Sequence, residues 1–282
     1  MLIHQHRRQS LWNNRVVPTL PVLVDKTHPL GSGMIGCYIP GSYHGYGDIA
    51  AVGPTMRPDT SSGILSLFNE GFGYNSPSAG ASLFSTHFPD QWKISTGGTI
   101  VWRGFIYSIA IITADCVLWG NVQSSAFNPP NSCYSIVISA TTGAFGFSYS
   151  SGSTSSVIDT GIFPGFTNAT IAVSFTIGGA VDIHIWNPTY SLTNGTWSGD
   201  APDYTGSPNP CIGVDPVMDA TDFSETVTTA AYLYDYPLSS GQIAWLHAEP
   251  YSMLRPSYRA LRSPPSTDGN PFRRWNRTYL IR

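Results

Sequence analysis

Between Thr170 and Asn187 apolar and polar positions alternate with a period of two. Ile171, Val173, Phe175 and Ile177 lead into Gly178-Gly179, and Val181, Ile183 and Ile185 follow it. Such alternation puts every second side chain on one face of a pleated strand, so the segment predicts two half-buried antiparallel strands. The glycine pair supplies the positive φ angles of a two-residue turn. A second hairpin is predicted over Cys133–Tyr149, turning at Thr142-Gly143. Thr99–Ile112 is apolar on both faces, as expected of a strand, or pair of strands, between two layers. Residues 43–91 are loop-rich, with Gly, Ser and Pro punctuating short pieces such as Ile64–Phe68.

One stretch carries helix signals instead. After a short apolar strand at Ala231–Leu233, Ser239 is a natural N-cap and Gln242 can close a capping box. Leu238 and Ile243 flank the cap as a hydrophobic staple, and Pro250 stops the helix, which is predicted over 239–249. Composition supports a sheet-rich chain. Charged residues make up only 11 %, against 28 glycines, 22 prolines and 13 % aromatics, which suits neutral strand faces joined by turns. The 282 residues suffice for one large sandwich or two small domains, and no internal repeat is visible. Cys37, Cys116, Cys133 and Cys211 show no metal-ligand or redox spacing; Cys116 and Cys133 sit in apolar runs and read as small core residues.

The closing segment AYLYDYPLSSGQIAWLHAEPYSMLRP (Ala231–Pro256) resembles the end of concanavalin A-like (LamG-like) jelly-roll domains of phage and prophage virion proteins. There the last strand reads roughly LYDRALS and is followed by EIAxLxxDPWxLFxP. HPLGSGMIGCYI (His28–Ile39) is similar to that family's first strand, and the Thr170–Asn187 hairpin to one of its internal hairpins. The resemblance implies an all-β, concanavalin A-like sandwich over 28–256 with one short C-terminal helix. It leaves 1–27 and 257–282 as extended arms. The chain departs from the family in the loop-rich 43–91 stretch and in the Arg-rich run after Pro256.

Charge is distributed unevenly along the chain. Residues 1–26 hold four cations against one acid and residues 255–282 seven against one, whereas 27–254 hold three against fifteen. An acidic body with two basic arms predicts docking through Arg7, Arg8, Arg15, Arg259, Arg262, Arg273, Arg274, Trp275 and Arg277. The expected neighbour is an acidic protein surface: another copy of the chain, giving a homo-oligomer such as a trimer, or a capsid or tail protein. Nucleic acid is disfavoured, because the body would repel a polyanion and no nucleic-acid module is present. No window reaches the ~18 apolar residues of a membrane span, and the N-terminus lacks the apolar core of a signal peptide. The expected location is a virion assembled in a host cytoplasm.

Catalytic chemistry is thin. Retaining glycoside hydrolases of this fold need two carboxylates about 5 Å apart, presented along one strand. The three glutamates, Glu70, Glu225 and Glu249, form no such string, so no enzyme is expected. His184 falls between Ile183 and Ile185, on the opposite face, and reads as a sheet-surface residue. Trp186, Trp197 and Tyr204, with Asp200, flank polar turns and form a candidate glycan site, with packing of loops as the competing role. Asp215, Asp219 and Asp222 lie in an acidic loop, a candidate for Ca2+ without the spacing of a known calcium string; no other cofactor is implied. The sequence therefore points first to a non-enzymatic virion component. A carbohydrate-binding adhesion module is the alternative, and a polysaccharide-active enzyme a further one.

Overall fold

The computed structural model describes residues 17–18, 21–58, 64–68, 71–76, 82–109, 116–122, 132–139, 142–151, 154–163, 168–202, 204, 208–213 and 224–257. Its strands are β1 (Val22–Val24), β2 (Met34–Tyr38), β3 (Arg57–Pro58), β4 (Ile64–Phe68), β5 (Gly71–Ser76) and β6 (Ser82–Phe84). Next come β7 (Gly97–Ile109), β8 (Cys116–Val122), β9 (Ser132–Ile138), β10 (Phe145–Ser151), β11 (Thr154–Asp159) and β12 (Asn168–Thr176). The chain closes with β13 (Ala180–Asn187), β14 (Thr189–Thr196), β15 (Asn209–Gly213), β16 (Ser224–Tyr234), helix α1 (Ser240–Ala248) and β17 (Leu254–Pro256).

Two antiparallel sheets face each other. One runs β14-β13-β12-β7-β16-β5-β4, with β2 also paired to β16; the other runs β11-β10-β9-β8-β15-β6-β3. Between them lies the main core, in which Ile100 and Trp102 of β7 and Ile171, Val173 and Phe175 of β12 meet Trp119, Ile136 and Phe147 of the opposite sheet. The alternation read from the sequence is the cause. Inward residues of β12 and β13 are apolar, while Ala172, Ser174 and His184 fall on the other side. The all-β jelly-roll sandwich expected from the sequence is the fold of this protein.

β7 is one long strand, apolar on both faces because a second core covers its outer side. There Val101, Ala172, Ala230 and Tyr232 pack under Ile243 and Leu246 of α1 and under the β1–β17 ribbon. The helix begins as its sequence signals require. Ser239 Oγ accepts from Gln242 N at 3.3 Å, Gln242 Oε1 accepts from Ser239 N at 3.0 Å, and the staple residues Leu238 and Ile243 are both buried. Arg103, on the outer face of β7, donates to Thr170 Oγ1 at 2.6 Å and to the His247 carbonyl at 3.4 Å, placing a cation under the helix C-terminus where the dipole favours it.

Two expectations need correction. The β12–β13 connection takes three residues rather than two: Gly179 N donates to Thr176 O, and only Gly178 has a positive φ, of 69°. The N-terminal boundary at residue 27 is also too late. Val22–Val24 pairs with Leu254–Pro256, and Val17, Val22 and Val24 are buried in the outer core. Valines with a period of two form a strand when a partner strand lies beside them, and that partner comes from the other end of the chain. The hairpin at Thr142-Gly143 is as expected, with Gly143 at φ 73°. All four cysteines are buried.

Candidate functional site

On the outer face of the larger sheet, an open groove of about 210 Å3 runs between the β13–β14 edge and α1. It is lined by His184, Trp186, Tyr190, Ser240 and Ala244. Register explains the floor. In the β13–β14 pair Trp186 lies opposite Tyr190 and His184 opposite Leu192, so all four share the face pointing away from the main core. The α1 wall follows from helical spacing: Ser240, Ala244 and His247 recur at intervals of four and three and face β13, while Ile243 and Leu246 point into the outer core.

The rings are fixed by one another. His247 stacks on Trp186 at 4.4 Å between centroids and 7° between planes, and Tyr190 lies 5.0 Å from Trp186. His184 Nδ1 and Tyr190 Oη share a hydrogen bond of 3.2 Å. Burial pushes the His184 imidazole below its ordinary pKa, an effect that Asp182 on the same strand opposes; the ring is therefore neutral near pH 7. With Trp186 half-buried and one face on His247, the ring offering most surface is Tyr190, 48 % exposed. Leu192 beside it is 46 % exposed. A ring face bordered by the Tyr190 and Ser240 hydroxyls, with no acidic or cationic side chain in the lining, suits the apolar face and edge hydroxyls of a sugar.

The residues grouped by the sequence do not form one site. Trp186 is in the groove, but Trp197 is on the opposite side of the sheet, 1 % exposed, with Tyr149 at 4.4 Å and Phe175 at 5.3 Å from its ring. Its Nε1 donates to the Asp200 carbonyl at 3.2 Å, so Asp200, though exposed, serves as a loop anchor through its backbone. Tyr204 stacks on Phe88 and donates to the Ile94 carbonyl at 2.8 Å, and burial raises its phenol well above the ordinary range. Trp197, fully buried, is therefore a packing residue, and Tyr204 is held half-buried against the main core through its stack on Phe88 and its bond to Ile94. The groove residues that went unnamed, Tyr190, Ser240 and Ala244, leave a faint signal. Tyr190 follows Asn187-Pro188 at the spacing that returns it beside Trp186.

The calcium candidates Asp215, Asp219 and Asp222 lie outside the described residues, as do Arg7, Arg8, Arg15, Arg259, Arg262, Arg273, Arg274, Trp275 and Arg277. Among the described residues no group of three His, Cys, Asp or Glu side chains is placed to hold a metal.

No protein-family model matches the chain, and no curated protein matches it. Solved structures do. The binding domain of botulinum neurotoxin DC, solved in complex with SialylT, superposes with a TM-score of 0.60 at 12 % identity, over 78 % of this chain and 52 % of that one. Domain 4 of AbnA, an extracellular GH43 arabinanase from Geobacillus stearothermophilus solved with arabinotriose, gives 0.58 at 16 %, over 76 % of this chain and 97 % of the domain. Trypanosoma rangeli sialidase gives 0.54 at 14 %, over 79 % of this chain and 34 % of the enzyme. This chain thus spans about half of the neurotoxin domain and a third of the sialidase. At such identities the likeness is one of fold, and the fold is that of the lectin-like β-sandwich.

Proposed function

We propose that this protein is a carbohydrate-binding module that takes its ligand in the groove between β14 and α1. The observation that carries the reading is the exposed Tyr190 ring, braced by Trp186 and His184 and bordered by hydroxyls. Fold likeness to an arabinanase domain solved with arabinotriose and to a neurotoxin binding domain supports it. We read the groove as a binding rather than a hydrolytic site, its lining holding neither of the two carboxylates that most retaining or inverting glycosidases use. A glycan array followed by calorimetry on any hit tests the proposal. Tyr190→Ala is expected to weaken binding by about tenfold or more, with Tyr190→Phe in between because it keeps the ring and loses the hydroxyl. An alanine variant that binds like the wild type would place the ligand elsewhere.

A second reading, a displayed component of a virion, has one observation in its favour. Because β1 pairs with β17, and Ser257 N donates to the Pro21 carbonyl, the body's first and last strands, to which the basic segments are joined, lie side by side. Two basic segments joined to the body at neighbouring points suit gripping one acidic protein surface. Light scattering on the full chain and on a chain trimmed to 17–257 tests this. A defined oligomer that becomes a monomer on trimming supports arm-mediated assembly, whereas an unchanged mass argues against assembly through the arms. The two roles are compatible.

A further inference from the structure

Helix α1 has an unusual exposed surface. A surface helix ordinarily covers its outer side with long charged side chains. Here that side presents Gly241, Ala244 and Ala248, with Trp245 next to them at 39 % exposure. Above Gly241 even a Cβ would meet nothing within 4 Å. Trp245 is held from the far flank of the helix: His28 lies 4.7 Å from its ring at a tilt of 54°, and Trp245 Nε1 donates to Glu249 Oε2 at 3.3 Å. The His28 ring is itself fixed, its Nδ1 accepting from Leu30 N at 3.1 Å.

Two ring platforms thus flank one helix, Tyr190 with Trp186 on the β14 side and Trp245 with His28 on the ribbon side. Ala244 belongs to both, since it lines the groove and is itself exposed on the crest. A long side chain at Gly241, Ala244 or Ala248 would wall the two platforms apart; none is present. We infer that the ligand is an extended, uncharged polysaccharide whose chain lies over Tyr190, crosses the small-residue crest of α1 and stacks a further sugar unit on Trp245. This inference rests on the carbohydrate-binding reading and extends it from a single groove to a path.

Geometry and charge select that ligand class. Crossing a helix means bridging about 10 Å, beyond one sugar ring and within reach of several linked units. Along the path the polar groups are Tyr190 Oη, Ser240 Oγ, the His28 ring and Glu249, which exchange hydrogen bonds with sugar hydroxyls, and no lysine or arginine is among the groove-lining residues. Residues 22–256 carry sixteen acids against five cations, so a uronate-rich or sialylated chain meets net repulsion.

Cello-, xylo- and arabino-oligosaccharide ladders from disaccharide to hexasaccharide, titrated calorimetrically into the full chain, test the inference, with a sialylated trisaccharide as the charged comparison. For the ladder that binds, affinity is expected to rise about tenfold or more from the shortest to the longest member. Trp245→Ala is expected to remove that gain while leaving short members unchanged, and Gly241→Arg, which raises a wall on the crest outside the groove lining, to do the same; Tyr190→Ala lowers every member. Thermal melts check that each variant is folded. If Tyr190→Ala abolishes binding but affinity is flat with length, or Trp245→Ala keeps the gain, the crossing path is wrong and the groove stands. If none of the ladders binds, or only the sialylated sugar does, both the path and the neutral-glycan reading of the groove fall.

Discussion

Replacing Trp119 with alanine is expected to remove a large part of this protein's stability. The indole is 1 % exposed, packed edge-on against Trp92 at 5.7 Å and against Tyr38 at 5.6 Å. Its Nε1 donates to the Tyr232 carbonyl at 3.0 Å. Trp119 belongs to β8 and Tyr232 to β16, so this one bond ties the two sheets together through the middle of the core. Truncation creates a large cavity, worth about 3–5 kcal/mol for a tryptophan. It also removes the buried Trp119–Tyr232 hydrogen bond, at a further cost of about 0.5–1.5 kcal/mol. A domain of ordinary stability has about 5–15 kcal/mol in all. Trp119→Phe separates the two contributions, keeping most of the packing and losing the donor. Urea melts of the three proteins should rank wild type, phenylalanine, alanine; an alanine variant within about 1 kcal/mol of wild type would mean that the sheets are not joined here.

Asp48→Ala is expected to cost about 3 kcal/mol or more, by a different mechanism. This carboxylate organises the loop that follows β2. Oδ1 accepts from Cys37 N at 2.7 Å and Ala50 N at 2.9 Å, and Oδ2 from Val52 N at 2.9 Å and Gly53 N at 2.5 Å. Burial raises its pKa, against the pull of those four donors. The loop it holds is tight: Ala51 has a φ of 58°, and a Cβ on Gly53 would come within 2.6 Å of both Trp92 and the Tyr38 hydroxyl. Alanine at 48 would leave four backbone donors without an acceptor. Asparagine is a poor rescue, since its amide would turn an NH2 group toward two of them. Melting temperatures decide the matter, and an asparagine variant as stable as the wild type would show that one oxygen suffices.

The contrast between these residues explains what the sequence made legible. Period-two alternation along β12 and β13, the Ser239–Gln242 capping box and the Leu238–Ile243 staple are local rules, and the structure obeys them. Asp48 sits in a stretch with no periodicity, where one side chain rather than a pattern supplies the order. The groove was legible only in part. Trp186 could be named because a tryptophan at a hairpin is conspicuous, but its partners come from β14 and from α1, separated from it in sequence and joined by register and docking. Trp197 misled because its surroundings in sequence, Gly, Ser and Asp, are those of a loop. The chain turns inward at that one residue and buries the ring. β1 was hidden for the reason that hides every strand whose partner is at the other terminus: three residues carry no signal until Leu254–Pro256 is beside them.

The place of β16 in the larger sheet has a consequence for biosynthesis. β16 pairs with β7 on one side and with β2 and β5 on the other, so it joins the two halves of that sheet. Yet it is nearly the last strand to be made. On a ribosome adding about 5–20 residues each second, roughly 10–40 s separate the completion of β2 from the start of the strand it needs. Throughout that interval β2 lacks the strand it pairs with, and from the completion of β7 onward β7 presents a bare edge, the condition under which strands find the wrong partner. The yield of folded protein therefore depends on how long that edge stays open, a quantity that no equilibrium measurement on the finished sandwich reports.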